Sequence, residues 1–100
     1  MQKYKIIIKP YAKQLQKEHL KFLARVSKPA ARRMSKKLRN AIKSLAESPL
    51  QHPIWQPDFE IDSEFRKMIV DKYIVVYEIV DHEIFVDYIL DSRMNNEEKV

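Results

Sequence analysis

The sequence of 100 residues contains no glycine, no cysteine and no long apolar run. Without glycine, every tight turn must use residues such as Asp, Lys, Asn, Ser or Pro, and a phosphate-binding loop of the Gly-rich type is excluded. Without cysteine there is no disulfide framework and no thiolate chemistry, which is compatible with a reducing cytoplasm. No apolar stretch approaches the roughly 20 residues of a membrane-spanning helix, so we expect a cytoplasmic protein with no membrane partner.

Basic residues outnumber acidic ones by 19 to 14, and the excess is confined to one half of the chain. Residues 1–46 contain fourteen Lys and Arg and one acid, Glu18, whereas residues 47–100 contain five against thirteen. The field of so basic a segment favours a polyanion or an acidic protein segment as its partner. A basic surface that serves only solubility is the plain alternative.

Three successive β-strands are predicted in the second half of the chain. Segments 65–70, 73–80 and 84–90 are rich in β-branched and aromatic residues, and only two or three residues separate neighbours. Loops this short exclude a parallel crossover, so the strands form an antiparallel meander. Alternation places four side chains on one face of the middle strand: Tyr73, Val75, Tyr77 and Ile79.

Two helices are predicted between a short first strand at residues 4–9 and the meander. Pro10 suits the first turn of a helix, and apolar residues recur with helical period as far as Val26. Ser27 is placed to cap a second helix that runs to about Glu47. The outward face of this second helix carries a continuous basic line, formed by Arg32, Lys36, Arg39 and Lys43.

These elements predict a single α+β domain over residues 1–100, in the order β-α-α-β-β-β. An N-terminal helix hairpin packs on an antiparallel sheet. Three prolines mark residues 49–58 as a loop, in which Ile54 and Trp55 are expected to pack against the core. Residues 92–100 read as a polar tail, because they show no apolar period.

Three motifs resemble the RelE/ParE toxins of bacterial type II toxin–antitoxin systems: the block F-R-K-M-I-V-x-x-Y-I-V-V-Y-E-I from Phe65, the helix end from Leu45 to Pro49, and the D-S-R that closes the last strand. The resemblance spans residues 3–93. It implies a growth-inhibiting toxin that a cognate antitoxin protein holds inactive, with no cofactor. RelE-like members cut mRNA on the ribosome without a metal, whereas ParE-like members inhibit DNA gyrase.

The resemblance also points to particular residues. Arg93 matches the functional basic residue at the end of the last strand, and Arg66 and Lys67 match a basic pair on the first strand of the meander. A metal-free ribonuclease needs such cations for the charge that develops on the phosphate, and a positioned group near the 2′-hydroxyl. Tyr73, which can stack a base or donate a proton, completes the candidate catalytic set, with Tyr77 and Tyr88 as alternatives. Lys72 joins the basic helix line as a candidate contact to nucleic acid or a protein partner.

Structural roles compete with these functional ones. Arg66 can pair with Glu78 or Asp87 across the sheet, and Arg93 can pair with nearby Asp91. A tyrosine in the position of Tyr77 is more often a core residue with a satisfied hydroxyl than a site residue. No metal site is expected, because the three histidines lack metal-ligand spacing: His19, His52 and His82.

Ribosome-dependent mRNA cleavage is the function we expect, and inhibition of DNA gyrase without catalysis is the alternative. Where RelE-like nucleases usually carry a further Arg, just after the first Tyr of the central strand, this chain has Ile74. The tail after Arg93 also lacks the Tyr or His that commonly follows there. These two departures are the reason for keeping the gyrase alternative. A family member with little activity of its own is the third possibility.

Overall fold

The computed structural model describes residues 3–95, and their elements follow the predicted order. In chain order these are β1 (Lys5–Ile8), α1 (Pro10–Val26), α2 (Lys28–Ser44), a 3-10 turn (Pro49–Gln51), β2 (Arg66–Val70), β3 (Tyr73–Val80), β4 (Glu83–Asp91) and α3 (Ser92–Asn95). The α+β class and the N-terminal helix pair are confirmed. The first four residues of the predicted polar tail form the short helix α3, and residues 96–100 lie outside the described part of the chain.

The sheet is mixed rather than wholly antiparallel. Its strand order is β1-β4-β3-β2, and the antiparallel meander of β2, β3 and β4 is confirmed. The first strand, however, pairs in parallel with the last, with Ile6 opposite Ile84. Because the whole helix hairpin separates β1 from the meander, its connection is long enough to permit either direction, and no local turn fixes the pairing.

Two aspartates make the glycine-free turns of the meander. Asp71 and Asp81 have φ values of 56° and 58°, in the left-handed region that Asp tolerates better than most residues. The second turn is one residue shorter than predicted, because Glu83 already belongs to β4. Both strand connections therefore consist of two residues, Asp71-Lys72 and Asp81-His82.

The main core lies between the helix hairpin and the sheet. Leu38, Ile42 and Leu45 are buried against the face of β3 that carries Tyr73, Val75 and Tyr77, as the alternation predicted. Removing each such side chain from water contributes roughly 1.5–3 kcal/mol. The hairpin is thereby fixed on one face of the sheet.

A β-bulge changes the facing of β4 halfway along its length. Val76 lies opposite Tyr88 while the next residue, Tyr77, lies opposite Val86, so Asp87 is the extra residue of the bulge. As a result Val86 and Ile89, which are three residues apart, both face the helices. Simple alternation does not reveal this shift.

The proline-rich loop covers the opposite face of the sheet. Trp55 is buried against Ile74 and Val76 and forms a second, smaller core, as predicted for this side chain. Ile54 is 46% exposed, so the prediction that it packs against the core is wrong. It instead forms an isolated backbone bridge to Arg66, which turns its side chain outward.

Ser27 ends one helix and begins the next. Its backbone N–H donates to the Leu23 carbonyl at the end of α1, and its hydroxyl accepts from the N–H of Ala30 in α2. The second helix ends at Ser44, three residues before the predicted end, since residues 45–47 form a turn whose Ala46 carbonyl accepts from the N–H of Tyr4. The hairpin is thus tied to the start of the sheet.

Candidate functional site

A cavity of about 640 Å³ opens where the helix hairpin meets one end of the sheet. We call it the basic pocket, because four of its lining side chains are cationic and one is anionic. The lining residues are Leu23, Ala30, Arg33, Met34, Lys37, Asp71, Lys72, Tyr73 and Arg93. The pocket therefore unites one end of the hairpin, the turn between β2 and β3 with the first residue of β3, and the short helix α3.

Local structure explains how the turn between β2 and β3 is held at the pocket. The left-handed conformation of Asp71 reverses the chain, and its Oδ1 accepts from Nζ of Lys37 on α2 at 2.8 Å. The carbonyl of Lys72 accepts from the N–H of Ser92 at 2.8 Å. These contacts connect the turn to α2 on one side and to α3 on the other.

Arg93 lies at the pocket in an ion pair with Asp91, the structural alternative that the sequence suggested. Nε of Arg93 donates to Oδ1 of Asp91 at 3.0 Å and Nη2 donates to Oδ2 at 2.7 Å. The backbone N–H of Arg93 donates to the same carboxylate at 2.9 Å. These bonds lower the pKa of Asp91, so the pair stays charged at neutral pH.

Tyr73 is buried in the wall of the basic pocket. Its ring lies 5.1 Å from that of His19, whose Nε2 is 2.7 Å from the Ile89 carbonyl oxygen. Burial raises the pKa of Tyr73, the charge of Asp91 raises it further, and Arg93 opposes both effects. The phenol is therefore protonated at neutral pH and is suited to donate a hydrogen bond rather than to accept a proton.

The guanidinium group of Arg66 donates hydrogen bonds to the proline-rich loop. Its Nη1 donates to the His52 carbonyl oxygen at 2.7 Å and to that of Leu50 at 3.5 Å. Nη2 lies 3.3 Å from Oε2 of Glu64. The suggested pairing of Arg66 with Glu78 or Asp87 is wrong, because both carboxylates pair with Lys9 instead.

Lys67 lies at a second cavity, of about 350 Å³, on the face of the sheet that the loop covers. Trp55, Phe59 and Tyr88 form aromatic walls of this cavity. Because neighbouring residues of a strand point to opposite faces, Arg66 and Lys67 cannot serve one site. The four candidate catalytic residues thus separate: Tyr73 and Arg93 share the basic pocket, Lys67 lies on the other face, and Arg66 holds the loop.

The basic line of α2 runs along its exposed side. Arg32, Lys36, Arg39 and Lys43 are all exposed, and among residues 3–95 none of them takes part in an ion pair. Arg33 and Lys37, which lie beside this line, line the basic pocket and were not singled out from the sequence. Their spacing of four residues places them on one helix face and is the signal that could have identified them.

A carboxylate pair is held near the β-bulge and was missed as a pair from the sequence. Nζ of Lys9 lies 2.7 Å from Oδ1 of Asp87 and 3.3 Å from Oε2 of Glu78, and it also lies over the ring of Phe85. Burial raises the pKa of Asp87 to about 6; Lys9 opposes this shift and Glu78 adds to it. The bulge determines this cluster, and a bulge leaves no clear trace in the residue pattern.

Within residues 3–95, no cluster of three or more His, Cys, Asp or Glu side chains is arranged to hold a metal ion. The three histidines lie in separate places, each with an aromatic neighbour: His19 beside Tyr73, His52 beside Tyr77 and His82 beside Tyr4. No helix in the same part of the chain is both long and apolar enough to span a bilayer.

The helix pair and the four-stranded mixed sheet have the architecture of the RelE/ParE-like toxin fold, a class of small α+β proteins. The family model described as the ParE toxin of type II toxin-antitoxin system, parDE, matches residues 6–96. The chain therefore belongs to this family of toxins, and the resemblance read from its motifs is confirmed. Membership implies a cognate antitoxin as its partner. A comparison with curated proteins gave no match.

Proposed function

We propose that this toxin stops growth by binding and inhibiting DNA gyrase, without catalysing a reaction of its own. The observation that carries the proposal is the separation of the four candidate catalytic residues over two faces of the sheet and a loop anchor. The family match to a ParE toxin favours the same target. From the sequence we expected mRNA cleavage, with gyrase inhibition as the alternative, and the proposal reverses that order.

Chemistry explains why this separation disfavours a nuclease. Cleavage of RNA by its own 2′-hydroxyl needs a proton acceptor and several cations around a single phosphate. Lys67 lies on the other face of the sheet from the basic pocket, and the guanidinium of Arg66 is used by the loop carbonyls. The raised pKa of Tyr73 makes this phenol a poor general base.

Ribosome-dependent mRNA cleavage remains the second candidate function because of the basic pocket. Tyr73, Lys72 and Arg93 do converge there, beside Arg33 and Lys37 of α2. Such a set supplies several donors for a phosphate, which favours nucleic-acid contact at this place. Substitution of a residue of this pocket, such as Arg93, can therefore distinguish the two functions by experiment.

The outer surface of the helix hairpin is the surface that we assign to the antitoxin. Phe22 and Val26 belong to the helical apolar pattern of α1, yet they are 62% and 80% exposed. The basic line of α2 lies on the same hairpin. An acidic amphipathic segment would cover the apolar side chains and pair with the cations, and its binding would weaken with salt.

The test is controlled expression of the toxin in bacteria, comparing the wild type with the variant Arg93→Ala. Plasmid supercoiling, DNA breaks and RNA 5′ ends are measured from the same cultures. We expect growth arrest with altered supercoiling or broken DNA and no codon-phased RNA cuts. Purified toxin should also inhibit the supercoiling reaction of purified gyrase.

Codon-phased cuts that vanish in the Arg93→Ala variant would refute the gyrase proposal and establish the second candidate. Arrest with normal supercoiling, intact DNA and intact mRNA would refute both. The matched control is Lys99→Ala, which removes one cation from the same end of the chain.

A further inference from the structure

We infer that the basic pocket binds a small phosphate monoester with a flat, partly apolar body, a ligand the size of a mononucleotide. The inference does not depend on the proposed function, because it concerns a small ligand in the basic pocket, whose binding can be measured in the absence of gyrase. Its support comes from the convergence, the charge and the shape of the pocket.

The cations of the pocket come from three separate parts of the chain. Arg33 and Lys37 project from α2, Lys72 from the turn between β2 and β3, and Arg93 from the short helix α3 that follows β4. Side chains so far apart in sequence meet only in the folded protein. A concave site with several convergent polar groups is the usual form of a small-molecule site.

Two of these cations are held in position by ion pairs, and the other two are available to bind a ligand. Lys37 pairs with Asp71, and Arg93 pairs with Asp91. Arg33 and Lys72 take part in no ion pair within residues 3–95. When the negative charges of Asp71 and Asp91 are subtracted from the four cations, a net charge of +2 remains. This charge matches that of a phosphate monoester dianion.

Arg93 keeps donors for a ligand despite its ion pair. Asp91 occupies Nε and Nη2, and Nη1 makes no hydrogen bond within the described residues. The ion pair also fixes the guanidinium plane, so little side-chain entropy is lost when a phosphate oxygen binds.

One wall of the pocket is apolar. Leu23, Ala30 and Met34 come from the hairpin, and the buried ring of Tyr73 lies on the sheet side. The volume of about 640 Å³ falls within the range of typical ligand pockets. A phosphate alone would leave this wall uncovered, whereas a base and ribose would cover it.

The test is isothermal titration of the purified full-length protein with three probes at one fixed ionic strength: AMP, adenosine and inorganic phosphate. We expect AMP to bind, phosphate to bind more weakly and adenosine to bind least, because both the charge and the ring contribute. Raised salt should weaken AMP binding.

Matched variants on α2 separate a site from a general charge effect. Arg33→Gln and Lys72→Gln should each lower the affinity for AMP about tenfold, since each removes a charge-assisted hydrogen bond. Arg32→Gln and Lys36→Gln remove the same charge from the neighbouring exposed line and should change the affinity less than about twofold. Far-UV circular dichroism confirms that all four variants are folded.

Three results would overturn the inference: no AMP binding, equal binding of AMP and inorganic phosphate, or equal losses in the Arg32 and Arg33 variants. The gyrase supercoiling assay is run on Arg33→Gln in parallel. If Arg33→Gln no longer binds AMP but still inhibits gyrase, ligand binding in the pocket is independent of gyrase inhibition. If the wild type fails to inhibit gyrase, the proposed function is refuted, and the measured affinity for AMP still tests the pocket.

Discussion

At the scale of single residues, Tyr77 shows how one hydroxyl attaches a loop to the core. The side chain is fully buried and its OH donates to the Pro49 carbonyl at the start of the 3-10 turn. Burial raises the pKa of Tyr77 to about 12, and nearby Arg66 opposes the shift. The sequence favoured a core role for Tyr77 over a site role, and its burial assigns it to the core.

The variant Tyr77→Phe is expected to lower the free energy of unfolding by about 1–2 kcal/mol, because it leaves the buried Pro49 carbonyl without its donor. Chemical denaturation measures the loss. Tyr11→Phe, which changes a 56% exposed tyrosine, is the control and should change stability little. Since the pKa of Tyr77 is raised on folding, its contribution is full below about pH 10 and is lost as the pH rises towards 12.

Asp87 is the second residue whose environment leads to a testable prediction about stability. The residue is 8% exposed, Oδ2 has no hydrogen-bond partner within the described residues, and burial raises the pKa of the carboxyl from 3.8 to about 6. A carboxyl whose pKa rises on folding stabilises the fold most below its unfolded pKa. That contribution is lost as the pH rises through the folded value.

We therefore expect the wild type to lose stability relative to the variant Asp87→Asn as the pH rises from about 4 to about 7. Denaturation of both proteins across this range measures the difference. Asp81→Asn keeps the left-handed turn and serves as the exposed control. A stability difference that stays constant with pH would contradict the raised pKa of Asp87. It would also contradict the effects of Lys9 and Glu78 on that pKa.

At the scale of elements, Ser27 joins the two helices of the hairpin. It ends α1 through its backbone and begins α2 through its hydroxyl, so one residue sets the short connection. The sequence predicted this cap, because serine before a Lys-Pro pair is typical of a helix start. The end of α2 was less predictable, since it depends on the contact between Ala46 and Tyr4.

The variant Ser27→Ala is expected to cost about 1 kcal/mol of stability, because the N–H of Ala30 loses its acceptor. Ser35→Ala, in the interior of α2, is the matched control and should be neutral or stabilising, since alanine is the better helix former. Equal effects of the two substitutions would show that the cap contributes nothing.

At the scale of the whole molecule, the central strand β3 joins two hydrophobic cores. Val75 and Tyr77 face the helices, while Ile74 and Val76 face Trp55. Because both cores rest on the same strand, neither can lose its packing without exposing the other. The single domain predicted over residues 1–100 should therefore unfold in one step.

The measurement is denaturant unfolding followed by two signals. Trp55, the only tryptophan, reports the loop side of the sheet by its fluorescence, and circular dichroism at 222 nm reports the helices on the other side. We expect the two transitions to coincide. A fluorescence change at lower denaturant would show that the proline-rich loop opens separately.

Local patterns determined much of this fold. Helical period, β-branched runs, prolines and short turns predicted the element order, the meander and the helix hairpin, because these features depend on neighbours along the chain. The motif around Phe65 also pointed to the family that the profile match shows. The charge asymmetry between the two halves was likewise visible in the sequence alone.

Tertiary structure decided what depends on distant residues. The parallel pairing of β1, the bulge at Asp87 and the attachment of Arg66 to the loop all arise from contacts between separate segments. The two faces of β2 separate Lys67 from the basic pocket, and the packing of α2 on the sheet brings Arg33 to Tyr73. Sequence spacing describes one element at a time, whereas a site requires that elements converge in space.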